Sequence, residues 1–377
     1  MTSYSPLVAS LKTAFNVDIT LIALSSTFHM LPLAIFCLFS GTISDLYHRP
    51  RILMYGLLIS SVGSLLSALS PNILVFLLSR SIQGIGSALI MPIALALIGD
   101  ITPRHDLGKA MGFNGMYTAL LSACLAPLIS GYLGQMNWRL VPLYLFAYSL
   151  VIGILCVIIL RGLSVSKKEG NIGLVLQRIK HTATNRNVAL LAVIGFISMF
   201  AWSGTQPLIS DILSLPPLSM NEDDIGTMYS MVGLVGVLFA YIGGVLTDRY
   251  GAKRNMIFGF IMQILPMFLL TMANSYSSYL VLLALQGGFM RVTHTSSSTL
   301  GVEAVPESRG SASSIIQFAS FLGFATSPII MSEIYVSSGI NPVYISNAFL
   351  LMGSIIFIAL IRMPRRAPET RVTVAHA

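Results

Sequence analysis

Apolar runs follow one another along this chain, each about the length of a membrane-crossing helix and separated from the next by a short polar break. They fall near 19–43, 52–70, 73–98, 109–133 and 140–161, then near 188–212, 224–247, 255–273, 278–301, 310–336 and 342–362. In a bilayer every backbone N–H and C=O must be satisfied internally, which a helix does within its own segment. The pattern therefore predicts an all-α membrane protein with eleven transmembrane helices, five before a basic stretch at 163–187 and six after it. One run departs from the others. Within 278–301 stand Gln286, Arg291, Thr293, His294, Thr295 and three consecutive serines, Ser296 to Ser298. Such polarity is expected where a helix lines a water-filled cavity. Arg291 and His294 are three apart and share a helix face. Trp202, Ser203, Thr205 and Gln206 add a weaker polar patch to the 188–212 run, although Trp202 also reads as an ordinary packing residue.

The polar breaks carry an internal repeat. Gly244-Val-Leu-Thr-Asp248-Arg249-Tyr-Gly251-Ala-Lys253-Arg254 has an earlier echo in Gly41-Thr-Ile-Ser-Asp45-Leu-Tyr-His48-Arg49-Pro-Arg51. Each copy closes an apolar run with a small residue, an acid four positions on, and then bases. The Gly is expected to let a neighbouring helix approach. The Asp stands at a helix end, within reach of a base or of another helix's positive N-terminus. Two copies imply two homologous halves. Asp248 lies 41 residues beyond the Pro of Gln206-Pro207, and Asp45 lies 39 beyond that of Ser5-Pro6. Residues 1–16 then correspond to the end of a first helix and its loop, and the body matching 188–205 has no counterpart. The expectation is a twelve-helix plan without its first helix. It comprises an N-terminal bundle over 1–162, a linker over 163–187, a six-helix bundle over 188–364 and a tail over 365–377.

Charge sets the expected orientation. Of the 22 Lys and Arg residues, Arg80 and Arg291 lie within runs and Lys12 and Arg139 in loops on one face; the rest fall on the opposite face. Bases mark the cytoplasmic side, so the C-terminus is expected inside a multi-pass protein of the cell membrane. The 163–187 linker reads either as a short interfacial helix, with Leu174, Val175 and Ile179 apolar, or as a flexible basic loop. A chain 55% hydrophobic and 10% charged is too apolar for one water-soluble core. The net charge of +8 sits in short loops and not in a stripe beside aromatics, which argues against a nucleic-acid partner. Cys37, Cys124 and Cys156 lie inside apolar runs without metal or disulfide spacing. No phosphate-binding loop or nucleophile elbow points to an enzyme, and no cofactor is expected. The first fifteen residues lack the pattern of a cleavable leader.

The repeated loop resembles motif A of the major facilitator superfamily, Gly-x-x-x-Asp-Arg-x-Gly-Arg/Lys-Arg/Lys, between the second and third helices of each half. The later copy matches at Gly244, Asp248, Arg249, Gly251, Lys253 and Arg254. The earlier keeps Gly41, Asp45, Arg49 and Arg51 but has Leu46 and His48 where Arg and Gly are usual. Arg80-Ser-Ile-Gln83-Gly84-Ile-Gly86-Ser-Ala88 resembles motif B, to which the superfamily gives a role in proton coupling. An Arg at such a depth costs about 2.5–3.5 kcal/mol on insertion scales. It must face a wet cavity, find a partner, or hydrogen-bond carbonyls and only hold helices together. Ser122, Ala126, Pro127, Ser130 and Gly131 form a degenerate motif C, the mark of antiporter branches; a generic proline kink accounts for them nearly as well.

The resemblance implies two helix bundles that rock around a central cavity and a secondary transporter of a small molecule. Its nearest functional likeness is a proton-coupled drug exporter working by antiport, with protons, substrate and bilayer as its partners and a monomer as the expected state. No carboxylate lies mid-run. The cavity candidates are His29, Trp202, Gln206, Gln286, Arg291 and His294, of which the histidines titrate near physiological pH. Each His also reads as a hydrogen-bonded structural residue. Many relatives place coupling acids on the first helix, the piece without a counterpart here. Two intramembrane Arg residues also suit an organic-anion carrier, and a chain without a first helix suits a non-transporting remnant.

Overall fold

The structure is a computed structural model that describes residues 2–46, 48–103, 106–160, 177, 180–305 and 309–361. Most of the expected linker and all of the expected tail lie outside the described residues, as do the side chains of Gly41 and Asp45. A 3-10 turn at Thr2–Tyr4 precedes α1 (Val8–Phe15), α2 (Ile19–Leu46), α3 (Arg49–Ala68), α4 (Ile73–Ile101) and α5 (Leu107–Ala119). A π-helical turn, Leu120–Leu125, joins α5 to α6 (Ala126–Met136), and α7 (Leu140–Leu160) ends this half. The second half holds α8 (Arg186–Ser203), α9 (Thr205–Ser214), α10 (Glu222–Tyr250) and α11 (Ala252–Leu269). It continues with α12 (Tyr276–Ala304), α13 (Arg309–Ser338) and α14 (Ile340–Leu360). There is no strand among the described residues.

Ten helices among the described residues are long and apolar enough to cross a membrane. The run at 278–301 is not one of them. Its helix, α12, has 29 residues, a spanning length of about 43 Å, but its polar stretch keeps the hydropathy low. Side chains at the breaks start several of the helices. Asn72 accepts from the Val75 N–H at 3.0 Å and Asn185 from the Asn187 N–H at 3.0 Å, each supplying an acceptor to an orphan donor. Pro127 leaves the crossing continuous because the π turn just before it widens the backbone, with the Ala126 N–H reaching the Leu121 carbonyl. The 188–212 run divides at Gly204, where a Cβ would fall on the side chains of Ser327 and Met331.

In the first half α4 packs against α2 and α3, and α3 against α7. In the second, α8 packs on α13 and α14, and α12 lies between α10 and α11. Two long seams join the sets: α2 runs against α13, and α6 packs more on α10 than on any helix of its own half. The outward faces are apolar, with Ile154, Ile158 and Ile159 on α7 and Leu238 and Tyr241 on α10 exposed, as lipid contact requires. Residues 2–16 form a wedge between the two halves. Leu7, Val8 and Leu11 are buried in one cluster with Phe76 and Trp138 of the first half and Phe200, Leu208 and Met331 of the second. Lys12, expected in a loop, stands on α1.

Candidate functional site

Both halves and the wedge line a central cavity of about 200 Å³. The wedge contributes Tyr4, Ser5 and Val8, and α2 contributes Ile22, Ser25, Ser26 and Met30. The second half supplies Met199, Trp202, Ser203, Gln206, Pro207, Met290, Arg291, Phe321 and Phe324. The walls are thus mostly aromatic, thioether and hydroxyl, with one fixed charge. Arg291 is exposed into this space, its stem beside Gly236, where a Cβ would stand 3.5 Å from the Arg291 Cγ. Trp202 lies against α12 at Gly287, where a Cβ would come within 3.0 Å of the indole. Gln206 is buried; its backbone carbonyl accepts from the Tyr229 hydroxyl at 2.9 Å, while its Nε2 has no partner among the described residues.

A second cavity, of about 260 Å³, lies within the second half and shares Met199 with the first. It is lined by His294, Ser297 and Ser298 of α12, Ser198 of α8, Phe260 of α11, and Gln317 and Ser320 of α13. Arg291 and His294, read as one face, therefore open into adjoining cavities. No carboxylate lines either space among the described residues. His29 and Gln286, also expected at the cavity, line neither. Both are buried, and the His29 Nδ1 and Gln286 Oε1 have no partner among the described residues.

Arg80 does not share the cavity with Arg291. It is 2% exposed, its guanidinium donates to the Gln83 Oε1, and its Cζ lies 4.1 Å from the centre of the Tyr4 ring. Tyr4 lines the cavity and so stands between Arg80 and the open space. Gln83 extends the network, donating to the Ser67 Oγ at 3.1 Å and the Ser64 Oγ at 3.3 Å. Gly84 admits the His29 backbone and Gly86 that of Gly56 and Ser60, which lets α4 cross α2 and α3 closely. The geometry is that of an internal brace.

Of the motif C-like residues, Pro127 and Gly131 lie in the seam of α6 with α10. A Cβ on Gly131 would strike the Glu222 carbonyl, and one on Gly226 would come within 2.6 Å of the Pro127 carbonyl. Farther along α10, Gly233 leaves no space against Ala123. The Ser230 Oγ donates to the Cys124 carbonyl at 2.6 Å across the same seam, while Ser122 and Ser130 bond carbonyls of their own helix. The wedge adds charge to this end. Lys12 donates to Asp211 at 2.5 Å, the Tyr335 hydroxyl donates to the other Asp211 oxygen at 2.9 Å, and Ser10 donates to Glu222. The contacts of Lys12, Asp211, Glu222 and Tyr335 are not legible in the sequence. Asp211 alone gives a hint, as an acid near the end of an apolar run.

At the opposite end the two charged loops are built differently. Gly251 has φ +85°, a left-handed conformation that ends α10 and lets α11 restart at Ala252. His48 replaces it in the first copy because there φ is −67° and no glycine is required. The close helix approach expected at Gly244 falls one residue earlier. A Cβ on Gly243 would come within 2.9 Å of the Val292 Cα, whereas Gly244 faces open space. Lys253 donates to the Ala359 and Ile361 carbonyls at 3.0 and 2.7 Å, where the exposed carbonyls of the α14 C-terminus favour a cation. Arg49 pairs with Asp100 at the end of α4. Asp248, Arg249, Arg254 and Arg51 are exposed, and Asp248 has no ion pair among the described residues. Asn255, unmarked by any motif, ties α11 to α10 and α12 by donating to the Gly243 carbonyl, Thr247 and Ser296 at 2.9–3.0 Å.

Two helix sets that meet across a shared cavity within a bilayer define the class as a multi-pass membrane transporter fold. The family model of the Major Facilitator Superfamily matches residues 1–194 and 191–376, so the chain belongs to that superfamily. It is 28% identical over 324 residues to the uncharacterized MFS-type transporter YybF of Bacillus subtilis (strain 168), covering 84% of this chain and 78% of that one. The quinolone resistance protein NorA of Staphylococcus aureus (strain Mu50) is 25% identical over 248 residues, 65% of this chain and 62% of its own. Among solved structures, a bacterial homolog to the human lysosomal transporter Spinster superposes with a TM-score of 0.74 at 15% identity, covering 95% of this chain and 91% of that one. A D-xylose-proton symporter gives 0.74 at 17% identity, covering 95% and 94%. These two establish the fold.

Proposed function

We propose that this chain is a proton-coupled exporter of amphipathic small molecules that works by alternating access. The observation that carries the reading is the central cavity, lined from both halves and from the wedge; in this reading Tyr4, Ser5 and Val8 close one end of it. Of the four described hydrogen bonds that cross between the halves, Ser10–Glu222 and Lys12–Asp211 fasten the wedge at that end, while Thr27–Ala325 and Ser230–Cys124 join the helices along the two seams. Rocking the halves, 1–162 and 188–364, about the seams would close the basic end and open the other. The linker 163–187, the tail and the charged loops are taken to be cytoplasmic, because bases hold loops on that side. Similarity to a quinolone resistance protein supports the drug-export reading. A proton falling through the membrane supplies about 2.3 kcal/mol per 100 mV. With the protein in inside-out vesicles, an amphipathic dye is expected to accumulate when the lumen is acid and to leave when a protonophore is added. Accumulation that persists with the protonophore would rule out proton coupling.

A further inference from the structure

We infer that the central cavity selects amphipathic organic anions, with an aromatic body and one acid group, over cations of the same shape. This inference rests on the transporter reading above and narrows its substrate. Arg291 carries the only charge on the cavity wall among the described residues. Among the described residues its guanidinium is not committed elsewhere. Arg80, Arg139 and Arg249 each lie over an aromatic ring, and Arg49 pairs with an acid; Arg291 has no described ring, carboxylate or carbonyl partner. The same wall holds a second donor with nothing to donate to. The side chain of Gln206 is buried, and its Nε2 has no acceptor among the described residues. A buried donor left without a partner is costly, which favours a ligand that brings an acceptor.

The apolar part of the ligand is equally specified. Trp202 lies against Gly287, and Arg291 is four residues farther along α12, on the same helix face. An aromatic surface and a fork of N–H donors are therefore neighbours, as suits an aromatic carboxylate or sulfonate. Phe321 and Phe324 extend the apolar wall on α13. A lipophilic cation would bury its charge beside an Arg with no carboxylate on the wall to offset it.

Trp138 and Trp202 are the only tryptophans, so Trp138→Phe leaves Trp202 as the sole indole reporter. The probes are 4-nitrobenzoate, 4-nitrobenzyl alcohol and 4-nitrobenzyltrimethylammonium, each of which quenches a tryptophan it touches. The protein is held in phosphatidylcholine vesicles, so that no anionic lipid competes for the site. Expected is quenching by the benzoate at a concentration at least about tenfold lower than by the other two. Arg291→Gln is expected to erase that preference while leaving quenching by the alcohol unchanged, and Arg291→Lys to restore part of it. Equilibrium dialysis of the same probes against the wild-type protein gives the same ranking without Trp138→Phe. Equal or tighter binding of the ammonium probe would overturn the anion inference and leave the transporter reading intact. If none of the three binds, the cavity is not a ligand site, and both fall.

Discussion

Arg80 and Arg291 are the same residue type on equivalent helices of the two halves, yet their settings are opposite. Arg80 is sealed beneath Tyr4 and tied to Gln83, whereas Arg291 faces the open cavity. Substituting Lys should separate them. At Arg80 a Lys loses the fork toward Gln83 and weakens the ring contact, so Arg80→Lys is expected to lower stability by about 1–2 kcal/mol. At Arg291 the same change is expected to stay within about 0.5 kcal/mol. Thermal unfolding in detergent reads both, and equal losses would mean that Arg291 is a structural residue as well. Asp248 poses a different question, because it is exposed with no ion pair among the described residues. Asp248→Asn is therefore expected to leave unfolding unchanged and yet abolish transport, by removing a partner needed only when the basic end closes. Normal transport would reduce the loop to a topogenic signal. That each Arg needs a compensating setting was legible in its surroundings, since a charge in an apolar run is costly. Which of them faced the cavity was not, because the ring that covers Arg80 comes from Tyr4 at the start of the chain.

At the scale of elements, the seam between α6 and α10 is the part the structure explains most fully. Gly131, Gly226 and Gly233 bring the two backbones into contact, and Ser230 bonds across them. A bulky residue would force the helices apart. Gly233→Val is expected to cut transport at least about tenfold. In the same variant, a cysteine placed at Ser5 should label faster from the side opposite the charged loops. Unchanged labelling with full transport would show that this seam does not seal the cavity. The helices were legible because lipid leaves the backbone one solution, and α12 was recognisable from its polarity. The degenerate motif drew attention to Pro127 and Gly131 without saying what they pack against. Its partners on α10 were hidden, because glycines in an apolar run look alike until a second helix is laid on them. The wedge was hidden for a related reason. Ser10 and Lys12 find Glu222 and Asp211 at separations of 212 and 199 residues, which no local pattern encodes.

For the molecule as a whole, the two halves share a cavity and are fastened to each other at one end. Lys12 and Asp211 are one such fastening, with the Lys12 side chain 30% exposed and that of Asp211 4%. If the halves alternate, this pair must part once per cycle. Replacing Asp211 by Asn should therefore loosen the closed end, by about 1–2 kcal/mol for a charge-assisted bond that is partly solvated. A faster rate of labelling at Ser5, as in the seam variant, would report it. Locking the pair is the more direct trial of alternation itself. Cys37, Cys124 and Cys156 are first replaced by Ser, then Lys12 and Asp211 by Cys, and the two thiols are joined with a short, reducible bifunctional reagent in vesicles. Transport of the quenching probe is measured before joining, after joining and after reduction. Transport is expected to stop when the link forms and to return when it is reduced. Undiminished transport through the linked protein would contradict alternating access about this cavity.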